Sequence, residues 1–111
     1  MEHSLYEYQH FTRSTAVYPG AGTGSVGAKM YCALEAAGEA GEIADKVKKL
    51  YRDENPMAVK DMPKEIGDVL YALARLCDES GISLQDCLDQ NVRKLTSRKE
   101  RGVLQGSGDN R

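Results

Sequence analysis

At 111 residues, with 29% charged side chains and a formal charge of −2, the chain reads as one domain, 1–111, large enough for its own core but near the size where assembly adds useful burial. That balance excludes a nucleic-acid binder acting through bulk charge, and no apolar run approaches membrane-spanning length. Three cysteines without C-x-x-C spacing, Cys32, Cys77 and Cys87, each fall among apolar helical positions. They are expected to be small buried thiols of a reducing, cytoplasmic compartment rather than disulfides or zinc ligands.

Met1-Glu2-His3-Ser4 is polar, of mixed charge, and lacks the apolar core of a secretory signal. Ser4-Leu5-Tyr6-Glu7 fits a capping box, which predicts a first helix from Leu5 to near Thr15 with Leu5, Tyr8 and Thr12 or Thr15 inward. His3 and His10 read as surface residues. Pro19 to Gly27 is a glycine-rich loop containing Gly22-Thr23-Gly24-Ser25-Val26-Gly27, a formal G-x-G-x-x-G with Asp45 at the spacing of a ribose-binding acid. The dinucleotide reading fails on context, because Thr15 to Tyr18 is too short and isolated to be the buried strand that motif follows. A phosphate loop fails too, since Gly27 precedes Ala28-Lys29 rather than Lys-Ser or Lys-Thr. A mobile loop is the expectation.

A second helix is predicted from Ser25 or Gly27 to near Arg52, with Met30, Leu34, Ala37, Ala44, Val47 and Leu50 as its apolar stripe. Gly38 and Gly41 each cost about 1 kcal/mol relative to alanine inside a helix. Their place suggests close approach of another helix or a ligand, or else relief of crowding between packed helices. Asn55-Pro56 interrupts the helix and turns the chain back. Asp61 is expected to cap a third helix with Pro63 in its first turn. Ile66, Val69, Leu70, Leu73, Ala74, Leu76 and Cys77 make that helix apolar almost all round, hence the most buried, and Gly81 ends it. Ser83-Leu84-Gln85-Asp86 opens a fourth helix to near Glu100, with Leu84, Cys87, Leu88, Val92 or Asn91, and Leu95 inward. Gly102 to Arg111 reads as an extended tail. The expected fold is all-α with four helices.

Two acid-x-x-acid pairs, Glu39/Glu42 and Glu65/Asp68, lie on consecutive antiparallel helices, and each pair shares one helical face. Two unit charges about 4 Å apart repel by roughly 4 kcal/mol at an effective dielectric of 20. Four carboxylates in one cleft therefore splay, take up protons or hold cations. Hard oxygen ligands suit Mg²⁺ or Mn²⁺. A di-iron bundle would supply Glu-x-x-His elements, and neither pair contains histidine. On the last helix Asn91, Lys94 and Arg98 share a face suited to phosphate oxygens. The basic run Arg93 to Arg101 that carries them can equally be a solvated helix end whose positive residues complement its dipole, while nucleic-acid binding lacks interleaved aromatics.

Gly38-Glu39-Ala40-Gly41-Glu42-Ile43-Ala44-Asp45-Lys46-Val47-Lys48-Lys49 and Glu65-Ile66-Gly67-Asp68-Val69-Leu70-Tyr71 closely resemble the MazG-type nucleotide pyrophosphohydrolases of the all-α NTP pyrophosphatase superfamily. Tyr8-Gln9, Tyr18-Pro19, Asn91, Lys94-Leu95 and Arg98 extend the resemblance nearly end to end. The family pattern runs E-E-x-x-E and then E-x-x-D, and here Gly38 takes its first position, with Glu35 one turn earlier as an outer acid. The resemblance implies hydrolysis of a nucleoside triphosphate to monophosphate and pyrophosphate. In that reading Glu39, Glu42, Glu65 and Asp68 hold Mg²⁺, Glu39 or Glu42 accepts the proton of the attacking water, and Asn91, Lys94 and Arg98 lie near substrate. It also implies a dimer or dimer of dimers with sites formed across subunits. A non-catalytic oligomeric nucleotide-binding module, or hydrolysis of another pyrophosphate such as phosphoribosyl-ATP, is the alternative.

Overall fold

A computed structural model describes residues 3–111; Met1 and Glu2, half of the segment read against a secretory signal, lie outside the described residues. Helix α1 spans Leu5–Thr12 and tightens into a 3₁₀ turn at Arg13–Thr15. Its capping box is complete: the Glu7 N–H donates to Ser4 Oγ at 3.1 Å, and the Ser4 N–H to Glu7 Oε1 at 3.3 Å. Helix α2 spans Val26–Asp53, capped by Ser25 Oγ on the Ala28 N–H at 3.1 Å. It stops at Glu54, whose φ of 50° is left-handed, immediately before the predicted Asn55-Pro56 break. A 3₁₀ turn at Pro56–Val59 leads to α3, Met62–Glu79, and then α4, Leu84–Glu100. The four helices and the absence of strands among the described residues match the expected all-α class.

Two ends differ from expectation. Asp61 occupies the cap position of α3 without a side-chain hydrogen bond; its carbonyl accepts from the Glu65 N–H at 3.1 Å instead. Nor is the tail extended. Arg111 donates to the carbonyls of Val103, Leu104 and Gly108, and Arg98 donates to the Asp109 carbonyl, so the segment curls back onto α4. A five-donor guanidinium that collects several carbonyls closes a short loop without apolar side chains.

Helix α2 packs chiefly on α3, while α1 touches both α3 and α4. The small core consists of Tyr18, Ala28 and Cys32, flanked by Ala16, Ala21 and Leu76, with Ala72, Ala74 and Cys77 buried along α3. Of the expected inward residues of α1, Thr12 is buried, Leu5 and Tyr8 are half-buried and Thr15 is exposed; His3 and His10 are exposed, as read. Helix α3 carries the largest set of buried residues, yet Ile66, Leu70 and Leu73 face outward.

The expected apolar stripes of α2 and α4 are the main correction. Met30, Leu34, Ala37, Ala44 and Val47 are exposed, with Leu50 half-buried, and Leu88, Val92 and Leu95 are exposed on α4 beside Cys87. The physical reason is that the single chain does not close around them. Its accessible surface is 7852 Å², where a compact monomer of this mass exposes about 6,100 Å². Its radius of gyration is 16.8 Å against about 13 Å for a compact chain of this length.

Candidate metal centre

Antiparallel α2 and α3 place Glu39, Glu42 and Glu65 together: one carboxylate oxygen from each lies within 4.8 Å of the others. Glu39 and Glu42 are one turn apart on α2, and Glu65 enters from the first turn of α3. Glu65 is the most telling of the three. One oxygen faces the Lys46 ammonium at 3.6 Å, while Oε2 is buried with no hydrogen-bond donor. Burial, followed by the adjacent Glu42 carboxylate, pushes the Glu65 carboxyl above its ordinary range. An orphaned buried oxygen beside two further carboxylates fits a hard divalent cation, and the donor set is all oxygen.

Asp68, expected as the fourth ligand, is exposed one turn further along α3 and stands outside this group. Its charge still reaches the cluster, since it adds to the upward push on both Glu65 and the phenol of Tyr8. The cleft beside the glutamates has a volume of about 580 Å³ and is lined by Gly38, Gly41, Glu42, Lys46, Lys49 and Glu65, among others. A Cβ added at Gly38 or Gly41 would meet nothing within 4 Å. Neither glycine therefore relieves crowding inside this chain; both border open space. Asp45, the apparent ribose-binding acid, is spent on Lys48 and Lys49 at 2.9 Å each, which hold it down to about 2.

The expected substrate residues sit elsewhere on the chain. Asn91 and Lys94 border a groove with Cys87, Gln90 and Asp109, and that groove shares no lining residue with the acidic cleft. Lys94 pairs with Asp109 at 3.3 Å, and Arg98, buried, holds the same residue through its carbonyl and carboxylate. The tail thus places a carboxylate on the two cations proposed to receive phosphate. Glu35 lines a different cleft, of about 330 Å³, with Thr15, Tyr18, Tyr31 and Tyr71. There the Tyr18 and Tyr31 rings stack with centroids 5.0 Å apart.

The sequence reading missed a buried polar network on the far half of α3. Arg75, 1% exposed, donates to the Tyr18 hydroxyl at 3.1 Å, Thr12 Oγ1 at 3.2 Å, Asp78 Oδ2 at 3.0 Å and Glu79 Oε2 at 3.3 Å. Glu79 in turn accepts from the Tyr18 hydroxyl and from the N–H groups of Gly22 at 2.7 Å and Gly24 at 2.9 Å. The glycine-rich loop expected to be mobile is therefore clasped by a carboxylate of α3. Burial works against the Glu79 charge, but the Tyr18, Gly22 and Gly24 donors and the Arg75 charge outweigh it and hold the carboxyl below its ordinary range. The available signal was Arg75 itself: an arginine inside an apolar run with acids three and four residues on is a buried-pair pattern.

The MazG nucleotide pyrophosphohydrolase domain pattern matches residues 31–103. The chain is 44% identical over 109 residues to the Gene 37 protein of Mycobacterium phage L5, across 94% of this chain and 96% of that relative. It is 35% identical over 74 residues to the uncharacterized protein YpjD of Bacillus subtilis (strain 168), across 63% of this chain and 67% of that protein. No solved structure matches. Among the described residues no helix is long and apolar enough to cross a membrane.

Proposed function

The chain belongs to the MazG nucleotide pyrophosphohydrolase domain family, and from that premise we propose that it hydrolyses (deoxy)nucleoside triphosphates to monophosphate and pyrophosphate in a Mg²⁺-dependent reaction, with Mn²⁺ as a substitute. The observation that carries the proposal is the Glu39, Glu42 and Glu65 cluster with the buried, donor-less Glu65 Oε2. These three residues, with Asp68 at the rim, would hold the cation. When bound, Mg²⁺ neutralises phosphate charge and acidifies a water molecule. Glu39 or Glu42 accepts the proton from that water, since both are within reach of the same point and Glu42 is open to solvent.

Asn91, Lys94 and Arg98 are proposed to hold phosphate oxygens, which requires a second copy to bring its α4 to the cleft and the tail to release Asp109. The uncovered apolar stripes support a homo-oligomer, dimer or dimer of dimers, in which such a site is completed across copies.

The test is a panel of ribo- and deoxynucleoside triphosphates with Mg²⁺, resolving products by chromatography. Monophosphate and pyrophosphate, lost with chelator and reduced at least about a hundredfold in Glu39→Gln and Glu42→Gln, are expected. Diphosphate and phosphate would refute the bond assignment. No turnover with retained Mg²⁺-dependent nucleotide binding would point to the binding module, and turnover of phosphoribosyl-ATP alone to the other pyrophosphate.

A further inference from the structure

Cys77 lies in the last turn of α3 and is buried, whereas Cys87 lies in the first turn of α4 and is exposed. Their sulfurs are 4.0 Å apart. Cys87 also borders a cavity of about 660 Å³, open to solvent, alongside Gln9, Arg13 and Ser83. Nothing in the proposed hydrolysis uses either thiol. We propose that Cys77 and Cys87 form a redox-sensitive pair that a hydroperoxide converts to an intrachain disulfide, tying the end of α3 to the start of α4.

The backbone on both sides of the pair is already fixed. The Ile82 N–H donates to the Cys77 carbonyl at 3.0 Å, and the Cys87 N–H donates to the Ser83 carbonyl at 3.1 Å. The Leu84 N–H donates to Gln9 Oε1 at 2.8 Å. The thiols are therefore presented to each other by a short, hydrogen-bonded turn rather than by a wandering loop. Reaching bonding distance needs about 2 Å of sulfur movement, within the sweep of χ1 for Cys87, which is exposed and borders the cavity. Burial, followed by the nearby Cys87, pushes the Cys77 thiol up to about 11. It stays protonated and shielded, which makes Cys87 the sulfur that meets the oxidant.

The reaction balances without a further reagent. The Cys87 thiolate attacks one oxygen of hydrogen peroxide, the O–O bond breaks, and a sulfenic acid forms as the other oxygen leaves as water after taking a proton. Cys77 then attacks that sulfur; the S–S bond forms, the S–O bond breaks, and the hydroxyl leaves with the Cys77 proton as a second water. Two thiols supply the two electrons that peroxide accepts. Cys32, buried in the core beside Tyr18 and Ala28, takes no part and serves as the internal reference.

The experiment exposes the reduced protein to hydrogen peroxide, blocks remaining thiols in denaturant, and records intact mass and a peptide map. The expected product carries a single alkyl group, on Cys32, is otherwise two hydrogens lighter than the reduced chain, holds a joined Cys77–Cys87 peptide, and regains those two hydrogens with dithiothreitol. Cys87→Ser, an exposed substitution that leaves the core untouched, is expected to keep its remaining thiols free under the same treatment. Cys77→Ser is expected to stop at a sulfenic acid that dimedone traps. Cys87 advancing to sulfinic acid with Cys77 still reduced would overturn the proposal, as would Cys87 pairing with a second copy or no change in mass.

Discussion

Glu65 keeps one oxygen near the Lys46 ammonium and buries the other without a donor, while Glu39 and Glu42 crowd it from α2. Without a cation this is like-charge strain in the folded state, and relieving it should stabilise the chain. Glu65→Gln is therefore expected to melt a few degrees higher than wild type in chelator, yet to lose the upward shift that Mg²⁺ or Mn²⁺ gives the wild type. Differential scanning calorimetry with and without metal checks both. A variant less stable than wild type in chelator would mean that Lys46, not a cation, is the partner that matters. The glutamates were legible in the sequence because acid-x-x-acid spacing fixes a shared helical face. The exposure of Asp68 was not: its position among apolar residues implied burial, but the face of α3 it occupies is left uncovered by this chain.

Between elements, the clasp of Glu79 on the Gly22 and Gly24 amides fixes how the loop enters α2. Gly24 has φ of 67°, and a Cβ there would meet the Glu79 carbonyl at 3.2 Å. Gly24→Ala is expected to lose about 1–2 kcal/mol from the left-handed backbone alone. Glu79→Gln removes one of the two carboxylates that face the buried Arg75 charge and is expected to cost about 3 kcal/mol in urea unfolding at neutral pH. The pH dependence follows from the depressed carboxyls of Glu79 and Asp78. For Asp78 burial again opposes the charge, and its hydrogen bonds from Arg13, Gln9 and Arg75 prevail. An acid whose folded value is lowered contributes fully above its ordinary range and loses that contribution as pH falls through the folded value. Wild-type stability should thus decline on acidification below about pH 4.5, and the decline should be shallower in Glu79→Gln. Helix boundaries and caps were readable here because Ser4, Ser25, Ser83 and Gly81 act locally. The clasp joins residues more than fifty positions apart, and no local pattern announces such a pairing.

For the whole molecule, the surface in excess of a compact monomer is larger than one partner's share of an ordinary interface, about 800 Å². The exposed stripe of Met30, Leu34 and Val47 on α2 and that of Leu88, Val92 and Leu95 on α4 supply its apolar content. Analytical ultracentrifugation is expected to find a dimer or larger at micromolar concentration, with a melting temperature that rises with protein concentration. Leu34→Glu, on a side chain already 66% exposed within the chain, is expected to weaken association about tenfold or more while leaving the single chain helical. Equal association by wild type and Leu34→Glu would remove this face from the interface. The apolar period was plain in the sequence; periodicity says that a face seeks cover, not which chain provides it.

At 28 residues α2 is about 42 Å long, as long as the greatest extent of the molecule, 41 Å. Glu39 stands at its midpoint, flanked by Gly38 and Gly41. Mechanically, the helix is a beam whose most compliant section lies where the carboxylates are mounted, because glycine restrains the backbone least. Load applied at either end, by the α3 connection or by another copy seated on the stripe, would be delivered as a change of curvature at Glu39 and Glu42. Amide exchange around residues 38–42 should accordingly be faster than in the interior turns on either side, and should slow when a cation braces that section.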